Sequence, residues 1–503
     1  MNPYTLISAG VTVVCVFANA LHAAHEIGSQ NTSYAAVQLT SDQAAQDVAL
    51  LRRAIQEIHP GYGRFTSASA MDSLFDQLEH NVQDGTTDTD LVRGISVVLG
   101  HLRCDHTIAE LPDAMSTHRN TVPSYLPFTF RLFGSQMYID QPIAEHPTLK
   151  RGDEVISING IAVRTILADV APLVPVDGWT DSSRRCRLEY SSEFLGDAID
   201  HFWPMLYGWP DTWSIEIQSR ASGRRETISA SPVTYVEWLA VADAQGRYRN
   251  FRDEVTVQSM GDDAAVLTIG TFVNYRDPVE PSAVFDPIFD QLAADSIQHL
   301  IIDLRACGGG SDDVPRELLT YLIPDAPAMG KQRPWVRATN VGDLRPHLST
   351  WDESIFDAPA ELFRDLNNGY FELLMPLSAA PATNRHNVFT GDVTILCGAA
   401  NSSGATMFIA VASDHHNRLV VIGEPTGGST EGPTAGVITF LRLPHSDITV
   451  RVPLLRSWAN VSQPVPGHGV QPDLRIEMDV DDWLNDRDVV LEAAFARDRA
   501  KNN

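Results

Sequence analysis

The second half of the chain alternates short apolar runs with segments whose apolar residues recur at helical spacing. The apolar runs are residues 265–269, 299–304, 393–396 and 419–423, and the helical segments are residues 285–294, 314–322 and 405–413. Apolar runs of this length are typical of strands that are buried on both faces of a sheet. Strands that alternate with helices usually pair in parallel and are joined by right-handed crossovers. This half of the sequence therefore predicts an α/β region with a parallel sheet.

Three of the predicted strands end in glycine or small polar residues. These ends are Gly308-Gly309-Gly310, Asn401-Ser402-Ser403-Gly404 and Gly423-Glu424-Pro425-Thr426-Gly427-Gly428. Ligands bind beyond the carboxyl ends of parallel strands, so the functional site is expected here. A serine between a strand and a helix has its hydroxyl at the positive end of the helix, beside backbone N–H groups, which suits a nucleophile that attacks a carbonyl. A phosphate-binding loop is the alternative, but no lysine follows the glycines and the Walker pattern is absent.

The first half of the chain has a different pattern. Apolar residues that recur every three to four positions predict helices at residues 41–58, 67–78 and 90–102, whereas short alternating runs between residues 122 and 233 predict strands. We therefore expect the following parts: a helical N-terminal domain at 41–119, a β-rich module at 120–235, the α/β region at 250–480 with an insertion at about 325–390, and a C-terminal helix or tail at 481–503.

Residues 1–23 have the composition of a secretory signal peptide. An apolar run spans residues 6–20, and small residues at Ala18, Ala20 and Ala23 offer cleavage sites. The run is shorter than the ~20 residues that a membrane-spanning helix needs, and no later segment is long and apolar enough to span a bilayer. The mature protein is therefore expected to be secreted or periplasmic and to have no membrane span.

Four cysteines follow this leader, namely Cys104, Cys186, Cys307 and Cys397. An exported protein could oxidise them, and Cys307 and Cys397 follow two strands that are expected to be neighbours, so these two could form a disulfide. The alternative is four separate buried thiols. The spacing of the cysteines fits no zinc motif, and we expect no metal and no cofactor.

The charge balance limits the partners and the chemistry. The chain has 37 lysines and arginines against 64 aspartates and glutamates, a net charge of −27. Nucleic-acid affinity comes mostly from basic side chains that neutralise phosphates, so a nucleic-acid partner is excluded. Only Lys150, Lys331 and Lys501 are lysines, so a mechanism that needs a lysine amine has three candidates.

The motifs between residues 303 and 473 resemble those of the tail-specific, or C-terminal processing, serine protease family, including its tricorn-core-like branch. The matching motifs are Asp303-Leu304-Arg305 with Gly309-Gly310, the nucleophile segment 393–407, Gly423-Glu424-Pro425-Thr426, and Gly469-Val470-Gln471-Pro472-Asp473. Residues 149–163, with their Gly-Asp and Asn-Gly turns, resemble the peptide-binding PDZ module that this family places ahead of its catalytic domain. The resemblance implies an α/β catalytic domain of the crotonase/ClpP-like fold and a peptide or protein substrate.

Carried onto this sequence, the resemblance makes Ser403 the nucleophile, with Ser402 as the alternative. It makes the backbone N–H groups of Gly404 and Gly309 the donors to the oxyanion. One branch of the family uses a lysine shortly after the Gly-Glu-Pro-Thr motif. No lysine lies between residues 331 and 501, so a serine–lysine dyad is excluded here.

The tricorn-like branch instead uses a histidine at the end of the helical domain. The residue at that place is His106, and a neutral imidazole can accept a serine proton near pH 7. That branch also has a late glutamate near the closing motif, where this sequence reads Pro466-Gly467-His468. Asp105 is therefore the leading candidate for the group that orients the imidazole.

Three functions are consistent with these residues. The first is an exported serine endopeptidase that forms an acyl-enzyme on Ser403 with His106 as the general base. The second is a catalytically inactive protein of the same fold that binds a peptide or a hydrophobic ligand. The third is an α/β-hydrolase-type esterase that uses Ser402 with His445 or His468 as base.

Overall fold

The computed structural model describes residues 33–143, 148–190, 194–242, 249–374, 385 and 387–502. The predicted signal peptide lies outside these residues. Within them the chain has a mixed α/β fold, as the sequence predicts, and it contains four β-sheets. In these ranges no helix is long and apolar enough to cross a membrane.

The helices, in chain order, are α1 Ser41–Glu57, α2 Ala68–Asn81, α3 Asp88–Leu102, α4 Asp113–Thr121, α5 Val163–Val170, α6 Asp181–Glu189, α7 Ala198–Tyr207, α8 Tyr235–Ala242, α9 Pro281–Ala294, α10 Asp313–Leu322, α11 Ser403–His415, α12 Val480–Leu484 and α13 Val489–Asn502. The strands are β1 Ala109–Glu110, β2 Phe128–Phe133, β3 Gln136–Pro142, β4 Glu154–Ile158, β5 Ile161–Ala162, β6 Trp213–Gln218, β7 Arg225–Ala230, β8 Val255–Ser259, β9 Ala264–Ile269, β10 His299–Asp303, β11 Trp335–Val336, β12 Leu348–Ser349, β13 Phe363–Asp365, β14 Phe371–Leu373, β15 Asp392–Cys397, β16 Leu419–Gly423, β17 Ile438–Arg442, β18 Thr449–Pro453 and β19 Leu474–Arg475.

The three predicted N-terminal helices are confirmed as α1, α2 and α3. Thr40, Ser67 and Thr87 cap their N-termini, each with a side-chain oxygen that accepts a backbone N–H. Helix α3 ends at Arg103, which adopts a left-handed conformation with φ 58°. This turn directs the following residues, among them Asp105 and His106, away from the helix axis and toward the rest of the chain.

The predicted strands between residues 122 and 233 form one antiparallel sheet in the order β2-β3-β4-β6-β7, with β5 paired to β4. Asn159 and Gly160 join β4 to β5 with φ values of 50° and 77°. Positive φ at both positions is what an Asn-Gly hairpin turn requires. Helix α6 contacts both this sheet, through Glu189 and Leu132, and the candidate site residue Asp105, through Arg187.

The predicted parallel sheet is confirmed. Its order is β19-β16-β15-β10-β9-β8, and only β8, at one edge, runs antiparallel to its neighbour. Alternate residues of the strands enter different cores. Leu267, Ile302 and Ile395 share a core with residues of α9, α10 and α11, whereas Val266 and Ile301 pack with residues of α13. Burial on both faces explains why these strands read as continuous apolar runs.

The segment between about 325 and 390, expected as an insertion, contains short strands that the sequence analysis did not predict. Strands β11, β14 and β13 form a small sheet, and β12 joins a second sheet in the order β1-β18-β17-β12. That second sheet combines strands from the beginning, the middle and the end of the chain. Its short strands depend on pairing partners that are distant in sequence, so local periodicity gives little signal for them.

The disulfide considered between Cys307 and Cys397 is not formed. Both are free thiols and are fully buried at the carboxyl ends of β10 and β15. Cys104 is also a buried free thiol, and Cys186 is a half-buried one. The alternative of separate thiols therefore describes this structure.

Candidate active site

Strand β15 and helix α11 are joined by a turn that contains both candidate serines. Asn401, which is fully buried, holds this turn against the end of β10, because its side-chain Nδ2 donates to the backbone oxygens of Leu304 (2.5 Å) and Cys307 (2.9 Å). Its Oδ1 accepts the N–H of Gly398 at 2.8 Å. No sequence motif assigns a role to Asn401. The signal in the sequence that could have indicated a role for Asn401 is its position directly before the two serines.

Ser403 is the first residue of α11 and has a left-handed backbone with φ 47°. This region is unfavourable for a residue other than glycine by about 1–2 kcal/mol, and such strain is often found at functional sites. A sharp turn between a strand and a helix is the geometry that exposes a nucleophilic serine. The sequence-predicted nucleophile therefore has the backbone conformation that this role calls for.

Gly309 lies directly against this turn. A Cβ added to Gly309 would be 2.9 Å from the backbone nitrogen of Gly404 and 3.0 Å from the Cβ of Ser403. Gly309 also has φ 106°, a value that favours glycine. The structure thus brings the two predicted oxyanion residues, Gly404 and Gly309, together with Ser403.

Asp105 has three partners, although its side chain is only 2% exposed. One carboxylate oxygen lies 2.7 Å from Nδ1 of His106. The other lies 3.2 Å from Nη2 of Arg187 and accepts a hydrogen bond from the hydroxyl of Ser402. Nδ1 of His106 has no aligned hydrogen-bond partner, so its contact with Asp105 is a charge contact rather than a well-directed hydrogen bond.

These contacts shift the pKa values of Asp105 and His106 in opposite directions. Burial alone would lower the pKa of His106, but the charge of Asp105 outweighs it and raises this pKa well above its ordinary value. Burial would raise the pKa of Asp105, but His106, Arg187 and the Ser402 hydroxyl together hold it far below its usual range. The site therefore contains a stable anion next to a basic imidazole.

The contact between Asp105 and Ser402 joins segments that are 297 positions apart. His106 follows Asp105 in the chain, and Ser403 follows Ser402, so the candidate base and the candidate nucleophile flank this contact. His445 lies elsewhere, since its Nε2 is 2.9 Å from Oε1 of Gln46 in α1. The structure therefore does not bring His445 to Ser402.

Helix α6 contributes two arginines to the site that the sequence analysis missed. Arg187 contacts Asp105, and Arg185 lies 2.5 Å from Oε2 of Glu424, in the Gly-Glu-Pro-Thr segment. The sequence does contain a signal for them, because residues 184–187 include three arginines in a strongly acidic chain. These contacts tie α6 to both halves of the site.

A buried histidine fixes the residue after His106. Nε2 of His59 lies 2.7 Å from Oγ1 of Thr107, and Nδ1 of His59 accepts the N–H of Gly61 at 2.8 Å. Burial lowers the pKa of His59 to about 3. His59 is therefore neutral at the pH at which His106 titrates, and its role is structural.

A second group of buried charges lies beside the first. Arg64 donates to Glu431, to Thr434 Oγ1 (2.8 Å) and to the backbone oxygen of Gly432 (2.9 Å). Asp177 lies 4.0 Å from the same guanidinium. Burial raises the pKa of Asp177 to about 6, and Arg64 opposes that shift without cancelling it.

Comparison with known proteins identifies related sequences and folds. Residues 263–476 match the family model described as peptidase family S41. This match confirms the resemblance to the tail-specific serine proteases. Among curated proteins, none matches the sequence.

The crystal structure of mature CPAF resembles the chain with a TM-score of 0.59 and 16% sequence identity, over 88% of this chain and 94% of that one. Mature CPAF complexed with lactacystin gives a TM-score of 0.58 and 15% identity, over 88% and 95%. At these identities the likeness concerns the fold, and it extends over nearly the whole described chain.

Proposed function

We propose that this chain, a serine-type peptidase whose residues 263–476 match family S41, cleaves peptide bonds through an acyl-enzyme on Ser403 with His106 as the general base. The Ser403 hydroxyl attacks the scissile carbonyl carbon and His106 accepts its proton. The N–H groups of Gly404 and Gly309 bind the oxyanion. His106 then protonates the leaving amine as the C–N bond breaks, and water hydrolyses the ester by the same sequence.

The observation that carries this proposal is the contact of Asp105 with both His106 and Ser402. An imidazole that receives a proton becomes a cation, and an adjacent buried anion stabilises that cation. Asp105 has this charge at every pH near neutrality, because its pKa lies far below the usual range. Asp105 is thus both the charge partner of the base and the link to the nucleophile segment.

The same contact favours Ser403 over Ser402 as the nucleophile. The Ser402 hydroxyl donates to Asp105, whose low pKa makes it a poor acceptor of a transferred proton. Ser402 is also 8% exposed and has an ordinary extended backbone, whereas Ser403 has the left-handed backbone. Ser402 therefore positions Asp105, and Ser403 reacts.

The wider organisation belongs to the same proposal. The N-terminal helical domain at 41–119 provides the base, the catalytic domain at 250–480 is of the crotonase/ClpP-like type and provides the nucleophile, and the PDZ-like module at 120–235 helps to position a peptide or protein substrate. The signal peptide at 1–23 directs the enzyme to the periplasm or the exterior.

A fluorophosphonate probe followed by peptide mapping tests the proposal. We expect labelling of Ser403 in the wild type, and we expect Ser403→Ala and His106→Ala to abolish it together with peptide cleavage, a loss of about 1,000-fold or more. Ser402→Ala is the matched control, since it removes the neighbouring hydroxyl but leaves the nucleophile, and it should retain labelling at a reduced rate.

Two results would contradict the proposal. Labelling of Ser402 that survives His106→Ala would favour the esterase reading. A folded wild type that is neither labelled nor able to cleave peptides would favour a binding protein of the same fold.

A further inference from the structure

Asp177 lies between the segment that carries the candidate base and the segment that carries the candidate nucleophile. It is 2% exposed and belongs to the loop before α6. The next residue, Gly178, is bonded twice to Arg103: its N–H donates to the Arg103 backbone oxygen (3.1 Å), and its own oxygen accepts from Arg103 Nη1 (2.9 Å). Arg103 is three residues before His106. This side of the loop is therefore fixed to the His106 segment.

The other side of Asp177 faces the nucleophile turn. Its Oδ2 accepts the backbone N–H of Ser429 at 2.8 Å. The residue before Ser429 is Gly428, at which an added Cβ would lie 3.3 Å from the Cα of Ser402. Asp177 is thus one backbone contact away from the serine pair, although it comes from a part of the sequence that carries no recognised motif.

The charge of Asp177 is only partly compensated. Its nearest cation is Arg64 at 4.0 Å, and the hydrogen bonds of that guanidinium go to Glu431, Thr434 and Gly432. The pKa of Asp177 is raised to about 6, first by burial and further by the charge of Asp105, while Arg64, the Ser429 N–H and His106 lower it. Asp177 is therefore ionised at neutral pH and lies within electrostatic range of His106.

The charged and titratable groups around this pair come from every neighbouring element. The charged groups near Asp177 are Arg64, Asp105 and His106, and beyond Arg64 lie Glu431 and Arg456. The titratable groups near His106 are Asp105, Cys104 and the neutral His59. Asp105 is also paired with Arg187. The positive groups on the far side of Asp177 are engaged with Glu431.

We propose that Asp177 is a positioning residue that stabilises the positive charge on the imidazole of His106 and so supplements Asp105. The inference rests on the proposed role of His106 as the base. A second buried anion near the imidazole, beside Asp105 which contacts it, makes the imidazolium easier to form when Ser403 gives up its proton. Asp177 touches neither the nucleophile nor the scissile bond, so its effect reaches the reaction only through His106.

Asp177→Asn tests this, because the amide can still accept the Ser429 N–H but has no charge. The titration of His106 is measured directly from the rate at which diethyl pyrocarbonate acylates it at each pH, with the modified peptide quantified by mass spectrometry. The reagent attacks the neutral imidazole, and the His106 side chain is 22% exposed. The readout needs no enzymatic activity.

We expect the midpoint of His106 modification to move to lower pH in Asp177→Asn, by less than in Asp105→Asn, because the loss of a nearby anion lowers the pKa of a histidine and Asp105 is the anion in contact with the imidazole. The plateau of kcat should fall with it, by at most about tenfold for each pKa unit of that shift. Asp177→Glu retains the charge and should keep the midpoint near that of the wild type.

Asp47→Asn is the matched control. Asp47 is also fully buried and accepts two backbone N–H groups, from His445 (3.2 Å) and Ser446 (2.7 Å), but it lies on α1 away from the site. Its loss should lower stability and leave the His106 midpoint unchanged.

An unchanged or higher midpoint in folded Asp177→Asn would overturn the inference. Equal losses of kcat in Asp177→Asn and Asp47→Asn, with no shift in the midpoint of His106 modification, would also overturn it. Both losses would then result from lower stability. If Asp177→Asn does not fold, the smaller Asp177→Ser serves the same test. The two proposals can also fail separately. If the midpoint shifts in Asp177→Asn but the wild type neither reacts with fluorophosphonate nor cleaves peptides, the proposed function is wrong and the coupling of Asp177 to His106 still holds.

Discussion

Asp105 is the residue on which the geometry of the site depends. A buried carboxylate is costly unless partners compensate for its charge. His106, Arg187 and Ser402 provide that compensation from three separate parts of the chain. The same charge retains a proton on His106, so the proposed base becomes free only above the pH range that is ordinary for histidine.

The pH dependence of the reaction follows from this charge. We expect kcat/KM for a peptide substrate to rise with pH and to reach half its maximum above about pH 6.5. Only the neutral imidazole can accept the Ser403 proton, and the raised pKa of His106 moves its deprotonation to higher pH. In Asp105→Asn the half-maximum should move to lower pH by about one unit or more, while the plateau falls.

The control for this measurement is Asp153→Asn. Asp153 is buried just before β4 and accepts the backbone N–H of Arg220, just after β6, at 2.9 Å. Its pH profile should match that of the wild type. A wild-type half-maximum below about pH 6 would show that Asp105 does not hold the proton on His106.

Some residues of the site could be predicted from the sequence and others could not. Ser403 and His106 lie in short motifs that resemble those of a known family, and Asp105 is next to His106. Arg187 and Asp177 lie in no such motif, and Asp177 is one of 64 acidic residues. Their importance comes from where the fold places them, which no local pattern encodes.

At the scale of elements, periodicity predicts those that bury a regular face. Helices α1 to α3 and the central strands β9, β10, β15 and β16 do so, and each is present as expected. The edge strands β8 and β19 are mostly exposed and were not predicted. Helix α6 buries Ser183 and Leu188, and its charged side chains pair with residues of other segments, as Arg185 does with Glu424 and Arg187 with Asp105. Glu189, for example, accepts the backbone N–H of Leu132 in β2 at 2.6 Å. Such an element is stabilised by tertiary contacts, so its sequence shows no clear periodicity.

The turn after β10 provides a prediction at this scale. Gly309→Ala should lower kcat/KM by about 100-fold or more, because its Cβ would press on Ser403 and on the N–H of Gly404, and a lost oxyanion donor alone has an effect of this size. Gly308→Ala is the neighbouring control. Gly308 is exposed, its φ is not positive, and the nearest atom to an added Cβ is 3.9 Å away.

Steady-state kinetics and thermal melting of the two variants separate the effects. Gly308→Ala should stay within about twofold of the wild type in kcat/KM, since it meets no clash. Full activity in Gly309→Ala would mean that the turn can move away from the nucleophile, and the proposed oxyanion site would then be wrong.

At the scale of the whole molecule, the site exists only where three parts of the chain meet. The segment after α3 provides Asp105 and His106, the turn before α11 provides Ser403, and α6 with its preceding loop provides Arg187 and Asp177. The sequence predicts helix α3, the central strands and helix α11 by their rhythm, but it does not predict helix α6 or the loop before it. It does not predict how the parts dock, because docking depends on pairs such as Arg64 and Glu431 that are 367 positions apart.

The Arg64–Glu431 pair makes this docking testable. Their side chains are 4% and 7% exposed, and Arg64 also bonds to Thr434 and Gly432, so the segment after α1 is attached to the segment after β16. Removal of one partner of a buried ion pair costs up to about 3–5 kcal/mol. Without Arg64, Glu431 keeps Arg456, at 3.5 Å, as a cationic partner. Arg64→Met should still lower the melting temperature markedly. It should also lower kcat/KM, because the contact joins the N-terminal part of the chain, which carries His106, to the part that carries Ser403.

Arg53→Met is the control for that variant. Arg53 pairs with Glu57 at 3.3 Å on the surface of α1, with side chains that are 45% and 50% exposed. Exposed i,i+4 pairs contribute about 0.3–0.5 kcal/mol, so its melting temperature should stay close to that of the wild type. Calorimetry of both variants compares the same change of residue in two environments. Equal, small shifts would mean that water enters the Arg64 site and that other contacts hold the helices to the catalytic sheet. A large shift confined to Arg64→Met, together with a lower kcat/KM, would show that this buried pair holds the base and the nucleophile together.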